Sequence, residues 1–250
     1  AVGHKGMQDV EWVFKDMSDE LKAWGHPGGG ENQMILKSDG EPAMVAVRDA
    51  LARFHGGRIS TEVSAKGESP SNGAAEEAGK TVREFTRVLK EQLEDRAKMK
   101  LDPYDVIVQW MIRWAAMMTS RFLVGKDGRT AMERRRGRRC NILVAPCGES
   151  VWYKESREGK ERPDKFNSEW KEGVWMGHAR SSNETIIGTE DGAVRAYAVR
   201  RKGPEEQWDA KRIVGLKGTP QQPNPAKPGL FIPIRVNFDK AFPDEAVETK

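Results

Sequence analysis

Asp39 and Glu76 are the two carboxylates whose settings in this chain could do chemistry. Asp39 follows a short apolar run, Met34 to Leu36, and opens the turn-forming stretch Asp-Gly-Glu-Pro, so it sits just past the end of a predicted strand. Glu76 lies near the start of a long predicted helix that begins at Asn72. A strand end and a helix start can hold two carboxylates over one cleft. Magnesium takes one or two carboxylates plus substrate phosphates, and two ions about 3.5 to 4 Å apart clamp the attacking and leaving oxygens of an in-line phosphoryl displacement. Each residue also has a plain structural use. Aspartate favours turns, and a glutamate in a first helical turn answers the positive end of the helix dipole.

Charge is the second signal. At about 100° per residue, Lys80, Arg83 and Arg87 fall on the Glu76 face of the long helix, while Val82, Phe85, Leu89 and Leu93 share another. Glu76 with Lys80 also fits the i, i+4 pair that merely steadies a solvated helix. Between Lys126 and Cys140, seven basic residues meet two acidic ones, and Arg134, Arg135, Arg136, Arg138 and Arg139 form the dense part of that block. It reads as a footprint for phosphates, a nuclear-import signal or a solvated basic turn. Cys140, Cys147 and the histidines His4, His26, His55 and His178 lack the spacing of a zinc site.

The elements that must position these residues follow from periodicity. Val10, Val13, Phe14, Met17, Leu21 and Trp24 make a helical stripe, ended by the glycines after His26. The strand before Asp39 is followed by a helix from Pro42 to Phe54, a strand from Ile59 to Val63, a glycine and serine loop, and the helix from Asn72 to about Met99. Tyr104 to Phe122 is apolar nearly all round, so it is expected between other elements. Short strands rich in Val, Ile and Trp then follow at Glu149 to Lys154, Gly173 to Ala179, Glu184 to Gly188 and Ala193 to Arg200, with a turn at Glu190, Asp191 and Gly192. They suggest a small barrel. From Gly203 the proline-rich run and the acidic end read as a linker and a disordered tail.

The 250 residues are 37% hydrophobic and 32% charged, with a mean hydropathy of -0.72, eight tryptophans and ten methionines. That is polar, yet enough for a real core. No run approaches the roughly 18 apolar residues of a membrane span, and no secretory signal pattern opens the chain. A soluble protein, neither secreted nor membrane-bound, is expected. The net charge of +4 is concentrated in the basic block.

The segments ILKSDGEPA, EVS and SPSNGAAEEAGKTVREF together resemble the integrase core of retroviruses and especially of copia-type retrotransposons. There a strand ends in Ser-Asp and, some three dozen residues on, an Asn-Gly-x-x-Glu motif opens a long helix. The resemblance continues through the Trp-rich helix and GKDGRTAMERRRGRR, which is similar to the family's threonine-proline-glutamate stretch, to WKEGVWMGH, which is similar to the small barrel that follows the core, so it covers roughly Ile35 to Arg201. It implies an α/β fold: a partial RNase H-like core over 1–139, a small all-β SH3-like barrel over 140–202, and a linker and disordered tail over 203–250. It implies that Asp39 and Glu76 hold Mg2+ (or Mn2+) for 3′ processing and strand transfer. Lys80, Arg83 and Arg87 would contact element DNA ends, and Arg134, Arg135, Arg136, Arg138 and Arg139 the double-stranded DNA backbone. A homo-oligomer working in the nucleus is implied as well.

The departures carry expectations too. The family's first catalytic aspartate lies on a strand well before the second, whereas Asp9, Asp16 and Asp19 fall on or at the first predicted helix, and the family's amino-terminal zinc-binding helices have no counterpart. The chain is expected to be a fragment of a polyprotein that binds metal weakly and catalyses little. Two other readings stand beside the enzyme: a nucleic-acid-binding remnant without catalysis, and a protein-interaction module with Trp152, Trp170 and Trp175 lining a groove on the barrel.

Overall fold

The computed structural model describes residues 11–26, 33–64, 73–155, 168–180, 182 and 184–226. They form a mixed α/β structure with a helical part and a closed four-stranded antiparallel barrel. The chain divides into two compact units, and the division falls between Ala75 and Glu76. Among the described residues no helix is long and apolar enough to cross a membrane.

The first unit holds α1 (Glu11–Ala23), β1 (Gln33–Ser38), α2 (Pro42–His55) and β2 (Arg58–Val63). Pro42 opens α2, where its missing N–H costs nothing. The helix carries the chain across so that β1 and β2 pair in parallel, from Gln33 opposite Arg58 to Ser38 opposite Val63. α1 packs on α2. Phe14, Ala50 and Leu51 form the buried centre, with Leu21, Leu36, Val47 and Phe54 packed against them. The stripe read for α1 holds at Phe14, but Met17 and Trp24 are exposed, and Ser18 is buried in Met17's stead. The reason is polar: Ser18 hydrogen-bonds His55 of α2, which turns that side of α1 inward. Val10 lies outside the described residues.

The second unit begins with the body of α3 (Gly73–Ala97), then α4 (Val106–Phe122), the short α5 (Ala131–Arg136) and the strands β3 (Ser150–Glu155), β4 (Lys171–His178), β5 (Thr185–Thr189) and β6 (Gly192–Arg201). The barrel closes in the order β3-β4-β5-β6, with β3 pairing β6 from Val151 opposite Arg201. Bulges at Lys154/Glu155 and Trp175/Gly177 bend the strands enough to close so small a sheet. Glu190 and Asp191 make the two-residue turn of the β5–β6 hairpin, with Thr189 paired to Gly192.

Two expectations about domain organisation differ from this arrangement. The boundary expected at 139/140 does not coincide with the division between units, because α3 and α4 supply Leu93, Trp110, Met111 and Trp114 to the same buried cluster as Val151, Val174, Met176 and Ile187 of the barrel. Trp114 meets Trp175 edge to face, with centroids 4.9 Å apart and planes at 87°. Gly148, in the left-handed region at φ +92, lets Leu93 lie close to the entry of β3: a Cβ there would stand 2.5 Å from Leu93 Cδ2. The second difference is the segment read as a linker. Residues 203–226 carry a 3-10 turn (Pro204–Glu206) and α6 (Ala210–Val214), and bury Ile213 and Leu216 in the barrel cluster. Trp110 Nε1 donates to the Gly218 carbonyl at 2.8 Å. The prolines had masked two well-spaced apolar anchors; 227–250 lie outside the described residues.

Glu94 makes α3 end where it does. Its carboxylate, only 8% exposed, accepts from Lys90, from the Leu101 backbone N–H at 2.9 Å and from Lys100 at 3.1 Å. Lys90 first, then the Leu101 N–H and Lys100, hold its pKa down to about 2 from an ordinary 4.5. Because the folded-state value is depressed, this carboxylate contributes stability in full above about pH 4.5, and the contribution is lost as pH falls toward 2. Acid titration of the Glu94→Gln variant should therefore show a shallower loss of stability below pH 4.5 than the native chain. Equal slopes would remove Glu94 from the acid response.

Candidate functional site

Asp39 stands immediately beyond the carboxyl end of β1, the side of a parallel sheet where ligands collect. The strand ends beneath it are fastened by Arg48, which is 9% exposed and reaches from α2 to donate to the Glu62 carbonyl at 2.7 Å and Ser38 Oγ at 3.4 Å. Arg48 is balanced by Asp49, whose Oδ1 accepts from Nε at 2.8 Å and Nη2 at 2.7 Å. Ser64 N donates to the Ser38 carbonyl at 2.9 Å, which ties the end of β2 to the same point. Asp39 itself is exposed, and its Oδ1 accepts the Glu41 N–H at 3.3 Å. One oxygen thus shapes the turn into α2, and the other faces solvent. This is the structural use of an Asp-Gly turn, and it leaves a carboxylate that a cation can reach.

Glu76 lies in the first turn of α3 and is exposed, as are Lys80, Arg83 and Arg87. The other face grades from half-buried Val82, Phe85 and Leu89 to buried Leu93, so α3 presents the charged stripe to solvent as its periodicity predicted. Among the described residues none of these four charged groups has an ion-pair partner within α3. Glu77 and Glu84 are exposed on the same half of the helix and lower its positive potential. Asp39 sits in the first unit and Glu76 begins the second. Among the described residues no three His, Cys, Asp or Glu side chains converge as a metal site. Asp16 and Asp19 lie on α1, and Asp9 lies outside the described residues.

The basic block is more ordered than a solvated turn. Thr130 caps α5: its Oγ accepts the Glu133 N–H at 3.1 Å while the Glu133 carboxylate accepts the Thr130 N–H at 2.8 Å. Gly137 closes the helix in the left-handed conformation. The Thr-x-x-Glu spacing of this capping box is in the sequence, and was obscured by the arginines that follow it. Three of the five arginines, Arg134, Arg135 and Arg139, are already engaged. Arg134 forks onto Asp127, with Nε 2.8 Å from Oδ2 and a second contact from Nη2 to Oδ1, and Arg139 Nε donates to Glu133 Oε1 at 2.9 Å. The Arg134 hydrogen bond is the main cause holding the Asp127 carboxyl far below the usual carboxylate range. Arg136 and Arg138 are exposed, as are Lys126 and Arg129 on the preceding turn. The block therefore offers phosphates fewer open cations than its count of basic residues suggested.

On the barrel the tryptophans separate by role. Trp175 is core, 2% exposed, so it cannot line a surface groove with the other two. Trp170 is half-buried under two cations, with Lys154 Nζ 5.0 Å and Arg200 Cζ 4.4 Å from its centroid, and Lys202 Nζ stands 4.6 Å from that of Trp152. The Trp152 pair joins β3 to the residue after β6, where Trp152 is opposite Arg200, while Trp170, just before β4, meets Lys154 of β3 and Arg200 of β6. Only strand register reveals them. Cys140 and Cys147 are free thiols, and burial pushes that of Cys147 up to about 12.

No family model matches the chain, and no curated protein matches it.

Proposed function

We propose that the chain is part of a retrotransposon-type integrase, a DNA-binding polynucleotidyl transferase with an RNase H-like core region and an SH3-like barrel. The observation that carries this reading is the parallel β1–α2–β2 crossover with Asp39 at the carboxyl end of β1, followed by an α3 whose first turn carries Glu76. That is the order of elements the integrase resemblance implies around its second and third acidic residues. Asp39 and Glu76 are the residues that would hold Mg2+ (or Mn2+), which when bound supplies charge stabilisation at the attacked phosphate. The chain's own cations, Lys80, Arg83, Arg87, Arg136 and Arg138, neutralise phosphates of double-stranded DNA without reading its sequence. Nuclear residence and self-association belong to the same proposal.

A second reading has an observation of its own. Arg136 and Arg138 are exposed beside Lys126 and Arg129, an arrangement that can serve a DNA-binding remnant without chemistry. The two readings share one expected result. Fluorescence anisotropy with a labelled duplex should show affinity falling steeply from low to physiological salt. Changing the five cations to glutamine should flatten the slope of log K against log salt by roughly 0.9 for each phosphate no longer neutralised. Binding that ignores both salt and these substitutions would sink both readings. They part on metal binding by the chain, which lacks the first catalytic aspartate: Mn2+ binding that disappears in Asp39→Asn and Glu76→Gln supports the integrase reading. Intact DNA binding with no such metal binding leaves the remnant.

A further inference from the structure

Three buried polar side chains of the first unit form a chain of hydrogen bonds. Ser18 Oγ of α1 lies 2.8 Å from His55 Nδ1 at the end of α2, and His55 Nε2 lies 2.8 Å from His26 Nδ1 in the turn that follows α1. Ser18 is 1% exposed, His55 6% and His26 8%. The two rings are 5.0 Å apart between centroids. A neutral imidazole has one N–H and one bare nitrogen, whereas an imidazolium has two N–H groups and no acceptor. The contact between the rings therefore needs one proton between them. Two neutral rings satisfy it in either direction. So does a pair carrying one charge, with the imidazolium donating to its neighbour and, if it is His55, to Ser18 as well. Two imidazolium rings would point N–H at N–H across 2.8 Å, with positive charges a ring apart and little water to shield them.

We infer that Ser18, His55 and His26 are an acid-sensitive latch, which holds α1 on α2 while at least one imidazole is neutral and releases it when both are protonated. The apolar part of the junction is small, resting on Phe14, Leu21 and the tilted contact of Phe14 with Phe54 at 6.4 Å, so loss of the polar part is felt. The groups that act on His55 favour its neutral form. Burial is the largest, followed by the charge of His26 from the turn and of Lys22 from α1; the His26 backbone carbonyl opposes them. β1 and β2, which also pack on α2, contribute no charge to this balance among the described residues. A base whose folded-state pKa lies below its ordinary 6.5 adds stability that is complete above that pH and is lost as pH falls through the folded value. Release therefore comes on the acid side.

The test uses the full chain. Amide hydrogen exchange of α1, corrected for the intrinsic pH dependence, is followed from about pH 7.5 to about pH 5 alongside the ring resonances of His26 and His55. The latch predicts at least a roughly tenfold loss of α1 protection over that range, with the barrel amides unchanged. In His26→Asn, whose side-chain oxygen accepts from His55 Nε2 and never ionises, α1 stays protected to the acid end. Protection that is constant in the native chain, or lost at the same pH in His26→Asn, overturns the proposal. Should the variant lose α1 already at neutral pH, the native titration decides. Protection that falls only as the second ring protonates supports the latch, and protection that falls while one ring is still neutral overturns it.

Discussion

Replacing Trp114 by alanine should cost the second unit about 3 to 5 kcal/mol, the range for truncating a buried tryptophan. Trp114 is 2% exposed and is one of the α4 side chains, with Trp110 and Met111, in the barrel cluster. It stacks edge-on against Trp175, lies 5.8 Å from the His178 ring, and would press a Cβ at Gly177 from 3.0 Å. Removing it leaves a cavity bounded by a closed sheet whose strands cannot collapse inward without breaking their pairing. Urea unfolding followed by tryptophan fluorescence reads the effect, which should appear as a lower midpoint with little change in slope. The same packing makes a second outcome expected from one cause. Residues 140–202, the barrel as its sequence delimits it, should not fold alone, because Met111 and Trp114 before it and Ile213 and Leu216 after it complete its core. Near-ultraviolet circular dichroism of that fragment decides the point. A native-like spectrum, or a loss below about 1 kcal/mol in Trp114→Ala, would show that α4 merely rests on the barrel.

Much of this arrangement was written in local pattern. Helices and strands fall within a few residues of where periodicity sets them, since Pro42, the turn at Glu190 and Asp191, and the glycines after His26 are punctuation that acts locally. Asp39 at a strand end and Glu76 in a first turn were legible for the same reason. Long-range pairing was not. Nothing in the apolar surround of α4 says that Trp114 meets Trp175, and nothing in the spacing of Ser18, His26 and His55 says that they meet. Proline density concealed the docking of Ile213 and Leu216, and the count of arginines concealed that Arg134 and Arg139 are paired. Charge composition sets a limit on what a surface can offer. Geometry decides how much of that charge is open.

The buried carboxylate of Glu149 carries the other large effect. Its exposure is 0%, and it accepts two hydrogen bonds from Arg201, Nε at 2.7 Å and Nη2 at 2.8 Å, in the parallel fork that suits guanidinium and carboxylate. The pair joins the residue before β3 to the last residue of β6, at the edge where Val151 opposite Arg201 closes the barrel. Arg201 is 49% exposed, so water already screens its side of the pair and its removal frees little solvation cost, while Glu149 would remain as an unpaired charge inside. Arg201→Ala should therefore destabilise the second unit by about 3 kcal/mol, the lower part of the range for breaking a buried pair. Lysine at 201 offers one point charge in place of a fork and should recover part of the loss. The decisive comparison is the double variant Glu149→Met with Arg201→Met, which removes the charge that Arg201→Ala strands and should be the more stable of the two. If the single and double variants unfold at the same urea midpoint, the cost lies in lost packing of the arginine stem rather than in the buried charge.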